Sequence, residues 1–332
     1  MGRDRKPSVG TLCFATDQGL GILARSFYDA EIVTNALIVE HTKHRSHHAE
    51  WYPRSPVTKH RPFDMKLAKD FCASMDVMLF FETPFEWELI DHCRSRGIKT
   101  VLMVMHECTP AILPSRPDMF LAPSNLDTRA FPGSTFIPVP VSVQWSLRTT
   151  ATTFVHNAGH GGLKGRNGTR EFIESLHYVR TPINVIIRSQ QSIDISKVDV
   201  GRAHVDWRFG TMPYASLWEE GDVFIFPEKF NGLSLPLQEA RAAGMLVMCG
   251  DRFPMNDWLP PEPLIPVVGT VRNRIGPGYM EFDEARYDPV TIALTIDAWA
   301  GRDITAYSRQ GKAWAKTMAW DALRAEYEEV LR

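Results

Sequence analysis

The amino-acid sequence predicts two α/β domains, each built on an open parallel β-sheet. The length of 332 residues suits two domains of ordinary size. In both halves, apolar runs alternate with helical patterns, which is typical of βαβ units. A polar, proline-containing stretch at 138–153 interrupts this alternation. We therefore expect an N-terminal domain at 1–142, a second domain at 143–310 and a C-terminal helix at 311–332.

The N-terminal domain is predicted from six apolar runs that have the length of buried strands. These runs lie at 9–15, 36–39, 77–81, 100–105, 119–122 and 135–138. Helical patterns lie between them at 21–29 and 84–96, and Gly97 stands where a C-cap glycine is expected. This alternation predicts one open α/β domain.

The second domain is predicted from the same alternation, which restarts near residue 153. Strands are expected at 153–157, 183–187, 205–208, 223–227 and 246–249. Helices are expected at 169–178, 214–220 and 235–243. Because the last segment, 306–332, has apolar residues at helical spacing, the chain is expected to end in a helix.

Composition and charge exclude several classes of protein. Hydrophobic residues make up 44% of the chain and charged residues 23%, as in globular proteins. The net charge of -2 gives no overall attraction to nucleic acid or membranes. The five cysteines include no Cys-x-x-Cys pair, which favours reduced thiols. The first apolar run is too short for a signal or membrane segment, so we expect a cytoplasmic protein without a transmembrane segment.

The most informative motif runs from Pro227 to Gly244 and joins a strand end, a glycine turn and a helix start. A helix N-terminus in this place is suited to binding an anion. The run reads Pro-Glu-Lys-Phe-Asn-Gly-Leu-Ser-Leu-Pro-Leu-Gln-Glu-Ala-Arg-Ala-Ala-Gly. It resembles, without a gap, the glycosyltransferase family 4 motif Pro-Ser-x-x-Glu-Gly-Phe-Gly-Leu-Pro-Leu-Leu-Glu-Ala-Met-Ala-Ala-Gly.

This resemblance implies the GT-B fold, in which two Rossmann-like domains face each other across a cleft and the C-terminal helix returns to the N-terminal domain. It also implies a retaining glycosyltransferase, of the hexosyltransferase kind, that takes a UDP- or GDP-sugar as donor and requires no further cofactor. Trp320-Asp321 resembles the closing tryptophan motif of the family. Since no Asp-x-Asp motif stands at a strand end, we expect no essential metal.

The resemblance also assigns residues around the donor sugar and ribose. The second glutamate of the motif, which holds the ribose, is Glu239. Gly232 and Leu233 lie in the glycine turn of the motif. The first glutamate, which touches the sugar, is replaced by Asn231, whose amide binds hydroxyls but carries no negative charge. His106, at a strand end, corresponds to a histidine that contacts the sugar. Asn231 and His106 are therefore the catalytic candidates, although a lone histidine is often only structural.

Three glycine-containing loops complete the predicted donor site. The loop at 158–168 supplies Lys164 and Arg166 for the diphosphate, and the loop at 17–21 supplies Gly19 and Gly21. Backbone groups from Gly210 to Met212 correspond to the segment beside the base. The loop at 17–21 also fits a dinucleotide fingerprint, with Glu40 as the acid for the ribose.

Acceptor contacts are predicted more weakly, at Glu82 and in the stretch 41–61. Glu82 ends a strand, and the stretch combines Lys43 and Arg45 with Trp51. Cations next to aromatic rings suit a polyanionic or nucleic-acid acceptor. A solvated surface loop is the other interpretation of the stretch. Its histidines match no familiar metal-site spacing.

Three functions remain open at this level. The first hypothesis is a glycosyltransferase that acts on a saccharide, a lipid-linked or a small-molecule acceptor. The second is a glycosyltransferase that acts on hydroxylated or hydroxymethylated bases in DNA. The third hypothesis is a non-catalytic protein that binds sugar nucleotides, and it rests on Asn231. The sugar, the nucleotide base, the acceptor and the oligomeric state are not predicted.

Overall fold

The computed structural model describes residues 6–41 and 47–332, and the chain divides into two compact units. Unit 1 consists of Met1–Pro140, Arg274–Met280 and Trp320–Arg332. Unit 2 consists of Val141–Asn273 and Glu281–Ala319. Each unit has its own parallel sheet and its own buried apolar core, as expected of a domain.

The described residues form fourteen β-strands. In chain order they are β1 (Val9–Cys13), β2 (Asn35–Glu40), β3 (Val57–Lys59), β4 (Val77–Glu82), β5 (Lys99–Val104), β6 (Met119–Ala122), β7 (Thr135–Phe136), β8 (Thr153–Gly159), β9 (Asn184–Ser189), β10 (His204–Phe209), β11 (Val223–Phe226), β12 (Leu246–Cys249), β13 (Gly269–Asn273) and β14 (Phe282–Arg286).

The described residues also form ten α-helices and several short 3-10 helices. The α-helices are α1 (Gly19–Asp29), α2 (Met65–Ala73), α3 (Glu88–Ser95), α4 (Asn125–Ala130), α5 (Thr169–Ser175), α6 (Leu235–Ala242), α7 (Met255–Trp258), α8 (Pro289–Trp299), α9 (Thr305–Thr317) and α10 (Trp320–Val330). The 3-10 helices are Ala49–Trp51, His106–Cys108, Gly162–Lys164, Leu176–Tyr178 and Tyr214–Trp218.

Unit 1 is built on a seven-stranded parallel sheet in the order β3-β2-β1-β4-β5-β6-β7. All residues of β1 are buried, as are the first five of β4 and the last five of β5. Strands buried on both faces are typical of a parallel sheet covered by helices. Because parallel strands end at the same edge, the loops that follow them are brought together there.

Helix α10 packs in unit 1 beside α1, although it is the last element of the chain. The ring of Phe27 contacts those of Trp320 and Tyr327 edge-on, at centroid distances of 4.8 Å and 4.9 Å. The indole Nε1 of Trp320 donates to the hydroxyl of Ser26 at 3.0 Å. The C-terminal segment therefore completes the core of unit 1.

Unit 2 is built on a five-stranded parallel sheet in the order β10-β9-β8-β11-β12. Strands β13 and β14 form a separate antiparallel ribbon. Helix α9 packs against α6 at Gly311, where a Cβ would lie 2.3 Å from the carbonyl oxygen of Arg241. The absence of a side chain therefore sets how closely these two helices approach.

The predicted α-helix at 214–220 is instead a 3-10 helix over Tyr214–Trp218. It begins after Pro213, whose carbonyl oxygen accepts from both the amide and the hydroxyl of Ser216, at 3.1 Å and 2.8 Å. Gly221, at a φ of 94°, follows shortly after. The segment between Pro213 and Gly221 is therefore short, and short helical segments often have the i to i+3 hydrogen bonds of a 3-10 helix.

All five cysteines are free thiols, and four of them are buried. No helix in the described part of the chain combines the length and the apolar character that are needed to cross a membrane.

Candidate active site

The loops after β8 and β11 are packed together at the carboxyl edge of the unit 2 sheet. The amide of Lys229 donates to the carbonyl oxygen of Arg166 at 2.7 Å. Gly168, at a φ of 67°, lies so close to the Pro227 carbonyl that a Cβ would be 2.1 Å from the oxygen. The predicted diphosphate loop and the family 4-like motif are therefore joined through backbone contacts, and a glycine is required at the junction.

Replacing Gly168 by alanine is expected to lower the free energy of unfolding by more than the same change at Gly133. Both glycines have positive φ angles, but nothing lies within 4 Å of a Cβ at Gly133. Gly133→Ala should therefore lose only the backbone term, about 1 kcal/mol. Urea unfolding of both variants separates the two effects, and equal losses would mean that the loop moves away from Pro227 without cost.

Asn231 holds the turn that precedes α6. Its Oδ1 accepts hydrogen bonds from the amides of Leu233 and Ser234, both at 3.0 Å. Its Nδ2 donates to Oε1 of Glu228 at 2.7 Å. Both ends of the amide are thus engaged within the motif, and the next residue, Gly232, is buried.

Glu228 is a buried carboxylate at the second position of the motif, where the family has serine. Its side chain is 1% exposed and lies 3.3 Å from Nη2 of Arg252. Burial raises the pKa of Glu228, and the Arg252 guanidinium opposes that rise. Arg252 also donates from Nε to the Glu228 carbonyl oxygen at 3.0 Å. The sequence prediction missed both residues.

Glu239 lies on α6, where its carboxylate is buried and hydrogen-bonded to a tyrosine. The hydroxyl of Tyr214 donates to Oε1 of Glu239 at 2.6 Å. Burial raises the pKa of Glu239 to about 8, although the bond from Tyr214 acts in the opposite direction. A carboxyl group with this pKa changes its charge near neutral pH. Tyr214 was not predicted as a site residue.

The two predicted phosphate-binding cations lie on the loop after β8. Lys164 is exposed, and its side chain forms no hydrogen bond or ion pair with another described residue. Arg166 is exposed as well, and its guanidinium lies 5.6 Å from the ring centroid of Phe230. Phe230 in turn stacks on Phe282 at 4.1 Å. The loop therefore presents positive charge at the sheet edge, where anions bind.

The predicted base-binding segment follows β10 at the same edge. Gly210 is exposed at a φ of 104°, and its amide donates to the carbonyl oxygen of Ser189 at 2.9 Å. Met212 is half-buried and precedes Tyr214 by two residues. The segment that carries Gly210 and Met212 thus also carries the partner of Glu239.

His156 is a buried residue on β8 that the sequence prediction missed. Its Nδ1 donates to the carbonyl oxygen of Ile225, and its Nε2 accepts from the Thr169 hydroxyl, both at 2.9 Å. It therefore joins β8, β11 and the start of α5. Burial lowers the pKa of His156 to about 4, so the imidazole is neutral at physiological pH.

The free energy of unfolding is expected to decrease as the pH is lowered, because of His156. Its pKa is lower in the folded chain than in the unfolded chain, so the unfolded chain binds the extra proton first. Stability is then lost as pH decreases from about 6.5 to about 4. Urea unfolding at several pH values should show a shallower loss for His156→Gln than for wild type. An identical pH dependence would contradict the assignment.

The predicted site residues of unit 1 also lie at a carboxyl sheet edge. Gly19 and Gly21 open α1, and a Cβ on Gly21 would be 2.1 Å from the carbonyl oxygen of Thr16, so this glycine allows the helix to pack. His106 is half-buried, and its amide donates to Oδ1 of Asp127 at 2.7 Å. Burial raises the pKa of Asp127 to about 7.

Glu82 ends β4 at a φ of 63°, a left-handed conformation that a non-glycine residue seldom adopts. Such strain is concentrated at functional sites, which keeps Glu82 a candidate. Of the predicted acceptor cations, Lys43 and Arg45 lie outside the described residues. Trp51 is half-buried and stacks on His48 at 4.5 Å, and its carbonyl oxygen accepts from Arg25. Trp51 therefore contacts other residues of unit 1 while its side chain stays partly exposed.

The described residues contain no group of three or more His, Cys, Asp and Glu side chains that could hold a metal ion.

No protein-family model and no curated protein matches the chain. The structure is nevertheless similar along its whole length to the crystal structure of HepE from Anabaena in complex with UDP and glucose. The TM-score is 0.66 at 10% sequence identity, over 98% of this chain and 99% of that one. The chain has the GT-B fold.

Two other solved structures agree with this assignment. A glycosyltransferase from Rickettsia africae has a TM-score of 0.64 at 9% identity, over 99% of both chains. The sucrose-phosphate synthase of Thermosynechococcus elongatus has a TM-score of 0.63 at 12% identity, over 97% of this chain and 98% of that one. The predicted GT-B fold class is thus confirmed, with two parallel-sheet units in one chain.

Proposed function

We propose that this GT-B chain is a retaining glycosyltransferase that moves a sugar from a UDP-sugar to an acceptor hydroxyl. The proposal depends chiefly on one observation: Glu239, Tyr214 and the Lys164 loop lie at one carboxyl sheet edge. Sheet edges of this kind bind nucleotides in α/β proteins. One structurally similar protein supports the choice of donor, since HepE was crystallised with UDP-glucose.

In this proposal, each part of the donor has its own protein contacts. Lys164 and Arg166 neutralise the diphosphate, Glu239 binds the ribose, and backbone groups at Gly210 and Met212 lie beside the base. Loop amides near Gly19 and Gly21 also approach the phosphates. The remaining contacts involve the sugar, and they come from His106, Asn231, Gly232 and Leu233.

Asn231 holds the turn through the two bonds that its Oδ1 accepts and the one that its Nδ2 donates, and the second N–H of Nδ2 is the group that contacts the sugar in this proposal. The bond between the anomeric carbon and the diphosphate oxygen breaks, and the diphosphate leaves with the electron pair. The acceptor oxygen then bonds to the same carbon on the same face, and its proton passes to a diphosphate oxygen. Fixed cations at the leaving group stabilise the charge that develops there.

We also propose unit 1 as the acceptor side and the cytoplasm as the location. The five free thiols are consistent with a reducing compartment. The DNA-modifying alternative rests on the stretch 41–61, and salt-sensitive DNA binding would distinguish it from a saccharide acceptor. The non-catalytic alternative would leave donor binding intact and remove only turnover.

Thermal stabilisation by a panel of nucleoside diphosphates and nucleotide sugars tests the proposal, with donor hydrolysis measured in parallel. Lys164→Ala should weaken UDP-glucose binding by about tenfold, since a charge-assisted hydrogen bond is lost. Lys197→Ala is the matched control, because Lys197 is also an exposed lysine of unit 2. The absence of stabilisation by any nucleotide would contradict the proposal, whereas binding without turnover would favour the non-catalytic alternative.

A further inference from the structure

Four neighbouring strands of the unit 1 sheet are each followed closely by an aromatic or imidazole ring. Phe14 follows β1, His41 follows β2 and His60 follows β3, each as the next residue, and Phe85 comes shortly after β4. These strands are adjacent in the order β3-β2-β1-β4. Their carboxyl ends meet at the edge where open parallel sheets bind ligands. The four residues, together with Phe63, are called the ring cluster below.

The rings of the cluster are in direct contact. Phe14 packs edge-on against Phe85 at 4.9 Å and against His60 at 5.8 Å. His60 stacks on His41 at 5.4 Å, and Phe63 stacks on Phe85 at 6.2 Å. The cluster therefore combines edge-on and stacked pairs.

The rings of the cluster are fixed by the core of unit 1 and remain partly exposed. Phe14, Phe63 and Phe85 pack against the buried core of unit 1, which fixes their positions. All five rings are nevertheless only half-buried. Half-exposed rings on a rigid base can bind a ligand without a large loss of side-chain entropy.

The polar groups of the cluster suit a neutral ligand that carries hydroxyl groups. Burial lowers the pKa of His60, and the positive charge of the neighbouring Arg61 lowers it further, so the imidazole is neutral near pH 7. A neutral imidazole offers one donor and one acceptor, as does a hydroxyl group. The side chain of His60 forms no hydrogen bond with the described residues. The strained carboxylate Glu82 stands at the end of β4, in the same strand-end region.

We propose that the ring cluster is the acceptor site and that it binds a neutral saccharide. The sugar ring packs its C–H groups on Phe14 and Phe85, and His60 bonds a sugar hydroxyl. Sites for small molecules combine apolar rings with a few placed polar groups in this manner. This inference rests on the proposed function and specifies its acceptor class.

Binding of the labelled full chain to an array of neutral oligosaccharides, acidic oligosaccharides and single-stranded DNA tests the proposal. His60→Leu and Phe85→Leu keep apolar volume but remove the ring. Each should weaken binding to neutral saccharides by about tenfold, through a lost hydrogen bond in His60→Leu and a lost ring contact in Phe85→Leu. His177→Leu and Tyr178→Leu are the controls, because this exposed edge-on pair lies in unit 2.

The outcomes separate this inference from the proposed function. Unchanged saccharide binding by the two cluster variants would overturn it, as would a wild type that binds only DNA, only acidic saccharides, or nothing on the array. UDP-glucose stabilisation of the same preparation is measured alongside, and the cluster variants should retain it. If that stabilisation is absent from the wild type, the proposed function fails, and with it the description of the cluster as an acceptor site.

Discussion

Replacing Glu239 by glutamine is expected to abolish the pH dependence of UDP-glucose binding. Burial raises the pKa of Glu239 to about 8, so the carboxyl group is mostly protonated at neutral pH. Ribose hydroxyls donate to the ionised form, so binding favours the carboxylate and releases a proton. Wild-type affinity should therefore increase as pH rises towards 8, by up to about tenfold per pH unit, and reach a plateau above it.

Isothermal titration with UDP-glucose between about pH 6 and pH 9 measures this effect. The esterified diphosphate of UDP-glucose does not titrate near neutrality, so it adds no slope of its own. At high pH, Glu239→Gln should bind at least about tenfold more weakly than wild type. Glu174→Gln is the control, because Glu174 is exposed on a helix of the same unit. A Glu239→Gln variant that kept the wild-type slope would assign the titration to another group.

Tyr214→Phe gives an independent test of the same carboxyl group. The hydroxyl of Tyr214 donates to Glu239 and lowers its pKa against the effect of burial. Without that bond, the pKa should rise, and the plateau of UDP-glucose affinity should be reached at a higher pH. A shift to lower pH, or no shift, would contradict the role of this hydrogen bond.

The fold class could be predicted because buried parallel strands appear as continuous apolar runs. Strands β4, β5, β11 and β12 are of this kind, and the structure has them close to the predicted positions. Strand β3 was missed, because only one of its three residues is buried. Helix α2 was missed as well, although Asp64 caps it by accepting from the amide of Leu67.

The candidate site could be predicted only where its residues are close in the sequence. The motif at 227–244 was found because its spacing is local, and Asn231 was identified within it. The partners that define its chemistry are distant along the chain: Tyr214 is 25 residues from Glu239, and Arg252 is 24 residues from Glu228. The order of the strands brings these pairs together, and no local pattern records that order.

Replacing Arg252 by methionine is expected to lower the free energy of unfolding more than replacing an arginine that forms only surface ion pairs. Glu228 is 1% exposed, so removing Arg252 takes away the guanidinium that its buried carboxylate contacts, and only the charge of Arg166 still acts on it. Breaking such a pair from one side costs about 3–5 kcal/mol of unfolding free energy. Arg272→Met is the matched control: Arg272 pairs with Glu281 and Asp283 on the surface, where the loss should be below about 1 kcal/mol.

A second substitution separates the buried charge from other effects of the methionine. Burial raises the pKa of Glu228, and losing Arg252 raises it further, so the penalty should decrease as pH falls through that pKa. Glu228→Gln combined with Arg252→Met should likewise recover much of the lost stability, because the pair then contains no charge. Urea unfolding of the wild type, the two single variants and the double variant gives the coupling energy between Glu228 and Arg252. An Arg252→Met variant as stable as Arg272→Met, at any pH, would show that Glu228 is neutral in the folded chain and that Arg252 does not stabilise it.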